Sequence, residues 1–104
     1  MYTLLIDDLR TLNVDMIVRT VKEGLEHLKS CEVTHLYLDN DLGEDQSMEG
    51  IDILKWARDH GCVPRKVTIV SANPIARKRM EDVLRFDLGY VYNRASNTWM
   101  ESEE

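Results

Sequence analysis

Apolar positions along the chain fall into short runs of strand length, separated by stretches with helical spacing or by turn residues. Tyr2 to Ile6 predicts a first strand, closed by Asp7 and Asp8. Leu9 to Asp15 has too little apolar periodicity for a helix, beyond one short turn, and Met16 to Arg19 predicts a second strand. Thr20 and Glu23 have capping-box spacing, and Val21, Leu25 and Leu28 then share one helical face to about Lys29. His35 to Leu38 is the third strand. Gly50 to His60 predicts a helix that buries Ile51, Leu54 and Ala57 with Ile53, and Gly61 suits the position just past its end. Lys66 to Val70 is the fourth strand. Asn73 and Pro74 then supply an N-cap and a first-turn proline for a helix to about Arg85. Its inward residues are Ala76, Met80, Val83 and Leu84, while Arg77, Lys78, Arg79 and Arg85 form a solvated face. Gly89 to Tyr92 is the fifth strand.

Strands alternating with helices imply an α/β domain whose strands pair in parallel through right-handed crossovers. The strand parities are unequal. Leu4, Ile6, Ile17, Leu36, Leu38, Val67, Ile69 and Val91 make one aliphatic face. The opposite parity collects Thr3, Leu5, His35, Tyr37, Thr68, Val70, Tyr90 and Tyr92. A parallel sheet covered on both faces should be apolar on both. No helix is predicted between the first two strands, and little chain follows Tyr92. One face is therefore expected to be thinly covered, for a partner subunit or the folded-back tail with Trp99 and Met100 to bury.

The 104 residues make one domain, 1–104, with a modest core, and the tail 101–104 is expected to fray. A net charge of −6 argues against holding duplex DNA by charge. No run approaches the ~18 apolar residues of a membrane span, and no signal peptide precedes Tyr2, so a cytoplasmic protein is expected. Cys31 and Cys62 lack C-x-x-C spacing and read as two reduced thiols. His27, His35 and His60 are scattered without metal-ligand spacing.

Candidate chemistry lies where strands end in acids. Asp39 and Asp41 follow the third strand and Asp7 and Asp8 the first, at the edge where open parallel sheets bind ligands. Carboxylates gathered there repel one another and raise each other's pKa, which a hard divalent cation such as Mg2+ would relieve. Strand parity cannot turn all four inward. Asp7 and Asp8, either or both, with Asp39 are the expected metal ligands, and Asp41 an outer or backbone ligand. The alternative is that these acids cap turns, where Asp is common. Ser71 and Asn73, on the same rim, are candidates to hold a phosphate oxygen, although Asn73 also suits an N-cap. Arg10 is a candidate phosphate clamp, or else an exposed loop arginine.

Together, Asp7-Asp8, Asp39, Ser71-Ala72 and the aromatic fifth strand resemble a response-regulator receiver domain. Closer still is the receiver-like family of cyclic-phosphate processing receiver domains. Its motifs are matched by Asp7-Asp8-Leu9-Arg10, by Asp39-Asn40-Asp41-Leu42-Gly43 and by Ser71-Ala72-Asn73-Pro74. This resemblance implies a flavodoxin-like open sheet of five parallel strands, order 2-1-3-4-5, with the first and last receiver helices missing or stunted. It also implies a Mg2+ pocket, a phosphate-bearing small molecule or RNA end as ligand, phage or bacterial origin, and Asp39 and Asp41 as the residues of any phosphoesterase chemistry. The sequence departs from the pattern at Val70, where the motif has histidine, at Ala76, where glycine is usual, and at Asn93 or Arg94, where a receiver has lysine. Those departures leave open a non-catalytic dimer or partner-binding module acting through the mixed sheet face, and a phosphoaspartate receiver ranks last.

Overall fold

The computed structural model describes residues 1–43 and 48–102. Residues 44–47, after the third strand, and 103–104, in the tail expected to fray, lie outside these. The elements are β1 (Tyr2–Ile6), β2 (Met16–Val18), α1 (Val21–Lys29), β3 (Val33–Leu38), α2 (Gly50–Asp59), β4 (Lys66–Ile69), α3 (Pro74–Asp82), a π-helical turn (Val83–Asp87), β5 (Val91–Asn93) and β6 (Thr98–Met100). They form a receiver-like α/β fold. As expected, no helix joins β1 to β2, and among the described residues β5 and β6, not a helix, follow the π-helical turn.

Local chemistry sets the helix limits. Thr20 Oγ1 accepts from Glu23 N (3.2 Å) and donates to the Glu23 carboxylate (2.9 Å), which opens α1. Asn73 Oδ1 accepts from Ile75 N (3.0 Å) and Ala76 N (3.2 Å), with Pro74 in the first turn of α3. That helix was expected to run to Arg85. It widens instead at Val83, where Leu88 N donates to Val83 O (3.1 Å), and the wider turn keeps Val83 and Leu84 both buried.

The sheet order is β2-β1-β3-β4-β6-β5. The first four strands are parallel and stand in the expected order. The far edge corrects the expectation of five parallel strands: Thr98–Met100 forms a sixth, antiparallel to both neighbours, and inserts between β4 and β5. Asn93 Oδ1 accepts from Ala95 N (3.0 Å) and Asn97 takes a positive φ of 51°, so the chain reverses there within a few residues. A three-residue strand is too short to announce itself by periodicity.

Register also corrects the face assignment, because paired residues point to the same side of a sheet. Leu4, Ile6, Leu36, Leu38, Val67 and Ile69 share one core with Leu28, Ile53, Leu54, Ala57, Met80 and Leu84 of the helical side. Trp99 pairs with both Val67 and Tyr92, so the two aromatic rings lie on this helical face, and Trp99 is 1% exposed. Ile17 pairs with Leu5, and Val91 with Met100, placing Ile17 and Val91 on the opposite face. Among the described residues no helix covers that face. Its polar members pair laterally instead: His35 Nε2 lies 2.7 Å from Thr68 Oγ1, which lies 2.8 Å from Thr98 Oγ1. The tail thus extends the sheet rather than folding over its open face.

Candidate metal site at the strand tips

The parallel ladder continues one residue past the strands and fixes their tips. Asp7 N donates to Val18 O (3.2 Å), Asp39 N to Ile6 O (3.1 Å) and Val70 N to Leu38 O (3.0 Å). Side chains alternate along a strand, so Asp7 and Asp39, each next after an inward aliphatic residue, turn to the edge together. One carboxylate oxygen from each of Asp7, Asp8 and Asp39 lies within 4.8 Å of the others. Asp7 is 1% and Asp39 9% exposed, and Asp8 is half-buried.

Asp7 is also the anchor of its loop. Its Oδ1 accepts from Leu9 N (3.0 Å) and Arg10 N (3.1 Å), and its Oδ2 accepts from Arg10 Nη1 (2.8 Å). The same Arg10 Nη1 donates to Val70 O (2.6 Å), tying the tip of β1 to that of β4 across β3. Arg10 therefore neutralises Asp7 and staples two strands. Arg19 donates to the carbonyls of Asp7 and Arg10 and to Thr11 Oγ1 (3.3 Å), bracing the loop from outside.

Asp39 is positioned by α2. Gly50 N donates to Asn40 O (2.9 Å) and Ile51 N to Asn40 Oδ1 (3.2 Å), so the helix docks end-on against the β3 tip. A Cβ at Gly50 would stand 2.0 Å from Asp39 O, so only glycine allows this approach. Burial, and then the Asp7 charge, hold the Asp39 carboxyl above the usual aspartate range. Backbone N–H groups of Asp41 and Asn40, and the Arg10 charge, pull it partly back.

The remaining candidates are placed differently. Asp41 is exposed and stands outside the three-carboxylate group. Ser71 is buried, with its Oγ accepting from Asn73 N (3.2 Å). Asn73 is exposed, and its amide oxygen is engaged in capping α3. Asn93 and Arg94 are exposed on β5 and its turn. With β6 intervening, β5 lies three strand spacings of about 4.8 Å from β3, one more than in a five-stranded receiver.

Asn40, Gly50 and Arg19, which shape the site, are not among the candidates the sequence offers. Gly50 carries a signal in retrospect, since glycine at the start of a helix forfeits helical propensity unless something comes close. Arg19 and Asn40 carry none, because most of their partners are backbone groups supplied by the fold.

The donor set suits a hard cation. Asp7, Asp8 and Asp39 would hold such an ion, since Mg2+ takes a few carboxylate oxygens and keeps waters. Compared with known families, residues 2–86 match the model of the cyclic-phosphate processing receiver domain, a stretch that ends ahead of the β5–β6 hairpin. No curated protein and no solved structure matches the chain.

Proposed function

This chain belongs to the cyclic-phosphate processing receiver family, and from that premise we propose that Asp7, Asp8 and Asp39 bind Mg2+ and, through it, a phosphate group. The ligand class is a cyclic or terminal phosphate on an RNA end or a nucleotide, met in the cytoplasm. The observation that carries the reading is the convergence of three carboxylates, two of them buried, with the Arg10 guanidinium bonded to Asp7. Bound there, Mg2+ would supply the positive charge that a phosphate needs and polarise its oxygens.

The residues of the chain then have distinct tasks. Asp7, locked by Arg10 and two backbone amides, holds its carboxylate in a fixed direction. Asp39, whose carboxyl burial and then the Asp7 charge hold above the ordinary aspartate range, is the first candidate for acid–base work. Asp41 on the exposed rim is the second candidate for acid–base work, and the Ser71 hydroxyl for contact with a phosphate oxygen. Val70 offers no proton where the family motif carries histidine, so binding and turnover are separable properties of this protein.

The test is a Mg2+ titration followed by amide NMR on the wild type and Asp39→Asn. Saturable shifts at Asp7, Asp8, Asp39 and Ser71, absent from the variant, are the expected result. No shifts at millimolar Mg2+ would overturn the metal reading. Release of a 2′-monophosphate or 3′-monophosphate from a 2′,3′-cyclic nucleotide, stopped by Asp39→Ala, would identify a phosphoesterase, and binding without turnover would identify a sensor or sequestering module.

A second reading rests on the open sheet face, where Ile17 and Tyr37 are half-buried, Val91 is 61% exposed, and no helix stands over them among the described residues. In that reading the face is a homodimer or protein-partner surface. Sedimentation at high micromolar concentration decides it, since a monomer there would rule out the homodimer.

A further inference from the structure

At the opposite edge of the sheet the fold brings together the two cysteines that sequence spacing keeps apart. Cys31 Sγ lies 3.5 Å from Cys62 Sγ. Their meeting follows from how two neighbouring helices end. Past the C-cap Ser30 of α1, Cys31 takes a left-handed φ of 57°, where glycine or asparagine would be ordinary. Past α2, Gly61 takes φ 66°, and Cys62 N then donates back to Ala57 O (2.8 Å). Both helix ends turn the same way and present their thiols to each other. Cys31 is exposed and Cys62 half-buried, and a cleft of about 260 Å³ opens beside them, lined in part by Val33, Arg65 and Glu101.

We propose that Cys31 and Cys62 are a reversible oxidation site, a dithiol that small-molecule disulfides convert to an intramolecular disulfide. A closure of about 1.5 Å takes the sulfurs from 3.5 Å to a bond of ~2.05 Å. Exposed Cys31 is the first to react. Its thiolate attacks one sulfur of the oxidant, for example oxidised glutathione, and expels one glutathione thiolate. The Cys62 thiolate then attacks the Cys31 sulfur of the mixed disulfide and expels the second. The protein loses two electrons and two protons, and one oxidised glutathione becomes two reduced ones. Burial and the neighbouring Cys31 hold the Cys62 thiol above its usual pKa, which suits it to the second, intramolecular step, where proximity replaces reactivity. The ring closed by the bond contains β3, the acidic tip and α2, so oxidation fastens the base of the unit that carries Asp39. This inference is independent of the proposed function, because the thiols sit at the other end of β3.

The experiment equilibrates the full chain with reduced and oxidised glutathione at graded ratios, quenches with a maleimide, and reads intact mass and a peptide map. The expected product is a monomer lighter by roughly 2 Da, with no maleimide bound and Cys31 linked to Cys62. Cys62→Ser should trap glutathione on Cys31. In denaturing urea the pairing geometry is gone, and half-oxidation should need at least about tenfold more oxidant. Maleimide on both thiols at every ratio, oxidation that stops at glutathione adducts on the wild type, or an equal midpoint in urea would each overturn the proposal.

Discussion

Replacing Gly50 by alanine tests the docking of α2 on the Asp39 tip. The added Cβ would lie 2.0 Å from Asp39 O and 2.8 Å from Asn40 Cα. Those atoms are backbone, held by Asp39 N to Ile6 O and Gly50 N to Asn40 O, so neither side can swing away as a side chain would. Relieving the overlap means shifting the start of α2 or the end of β3, and overpacking of this kind costs typically about 1–3 kcal/mol. Losing the two bonds to Asn40 adds about 1 kcal/mol each. Against this, alanine gains up to about 1 kcal/mol of helix propensity. The net expectation is a loss of about 3 kcal/mol, or a fall in Tm of about 15 °C for a domain this size. Gly24→Ala is the control. Its Cβ would meet only side-chain atoms, Ile6 Cδ1 at 2.6 Å, Cγ1 at 3.2 Å and Cγ2 at 3.3 Å, and with the same propensity gain and no backbone overlap it should lose less than Gly50→Ala. Urea unfolding of both variants gives the comparison. Gly50→Ala as stable as wild type, or no worse than Gly24→Ala, would refute the close-approach argument.

Three further outcomes are expected. Asp39 binds its proton more tightly in the folded state than in the unfolded one, so stability in metal-free buffer should fall as pH rises from the ordinary aspartate range through the raised folded pKa. Asp39→Asn should therefore be more stable than wild type at pH 7, with the difference shrinking toward pH 3; a thermal-melt series in which it stays constant would contradict the raised carboxyl. Asn73→Ala removes two capping bonds and should cost about 1 kcal/mol in urea unfolding, and no loss would mean that Pro74 alone starts α3. Trp99→Ala empties a fully buried position between β4 and β5 and should cost about 3–5 kcal/mol; a mild loss by the same assay would show the β6 strand to be an appendage.

The sequence by itself determined the elements whose signals are local. Capping residues at Thr20 and Asn73, helical spacing at Leu54, Ala57 and Met80, and aliphatic runs ending in Asp7 and Asp39 all point to a receiver-like fold with acids at its ligand edge. Register and close approach were decided only in three dimensions. Whether Ile17, Val91 and Tyr92 face the helices depends on which residues pair across strands, and runs of three residues carry no period to read. The sixth strand exists because β4 offers a free edge to Thr98–Met100, a fact about the sheet rather than the tail. Tertiary structure likewise bonded Arg10 to Asp7 and Val70 and brought the two cysteines within 3.5 Å. Local propensity records what a residue does to its own backbone, whereas these contacts join residues distant in sequence, and only the packed fold sets that distance.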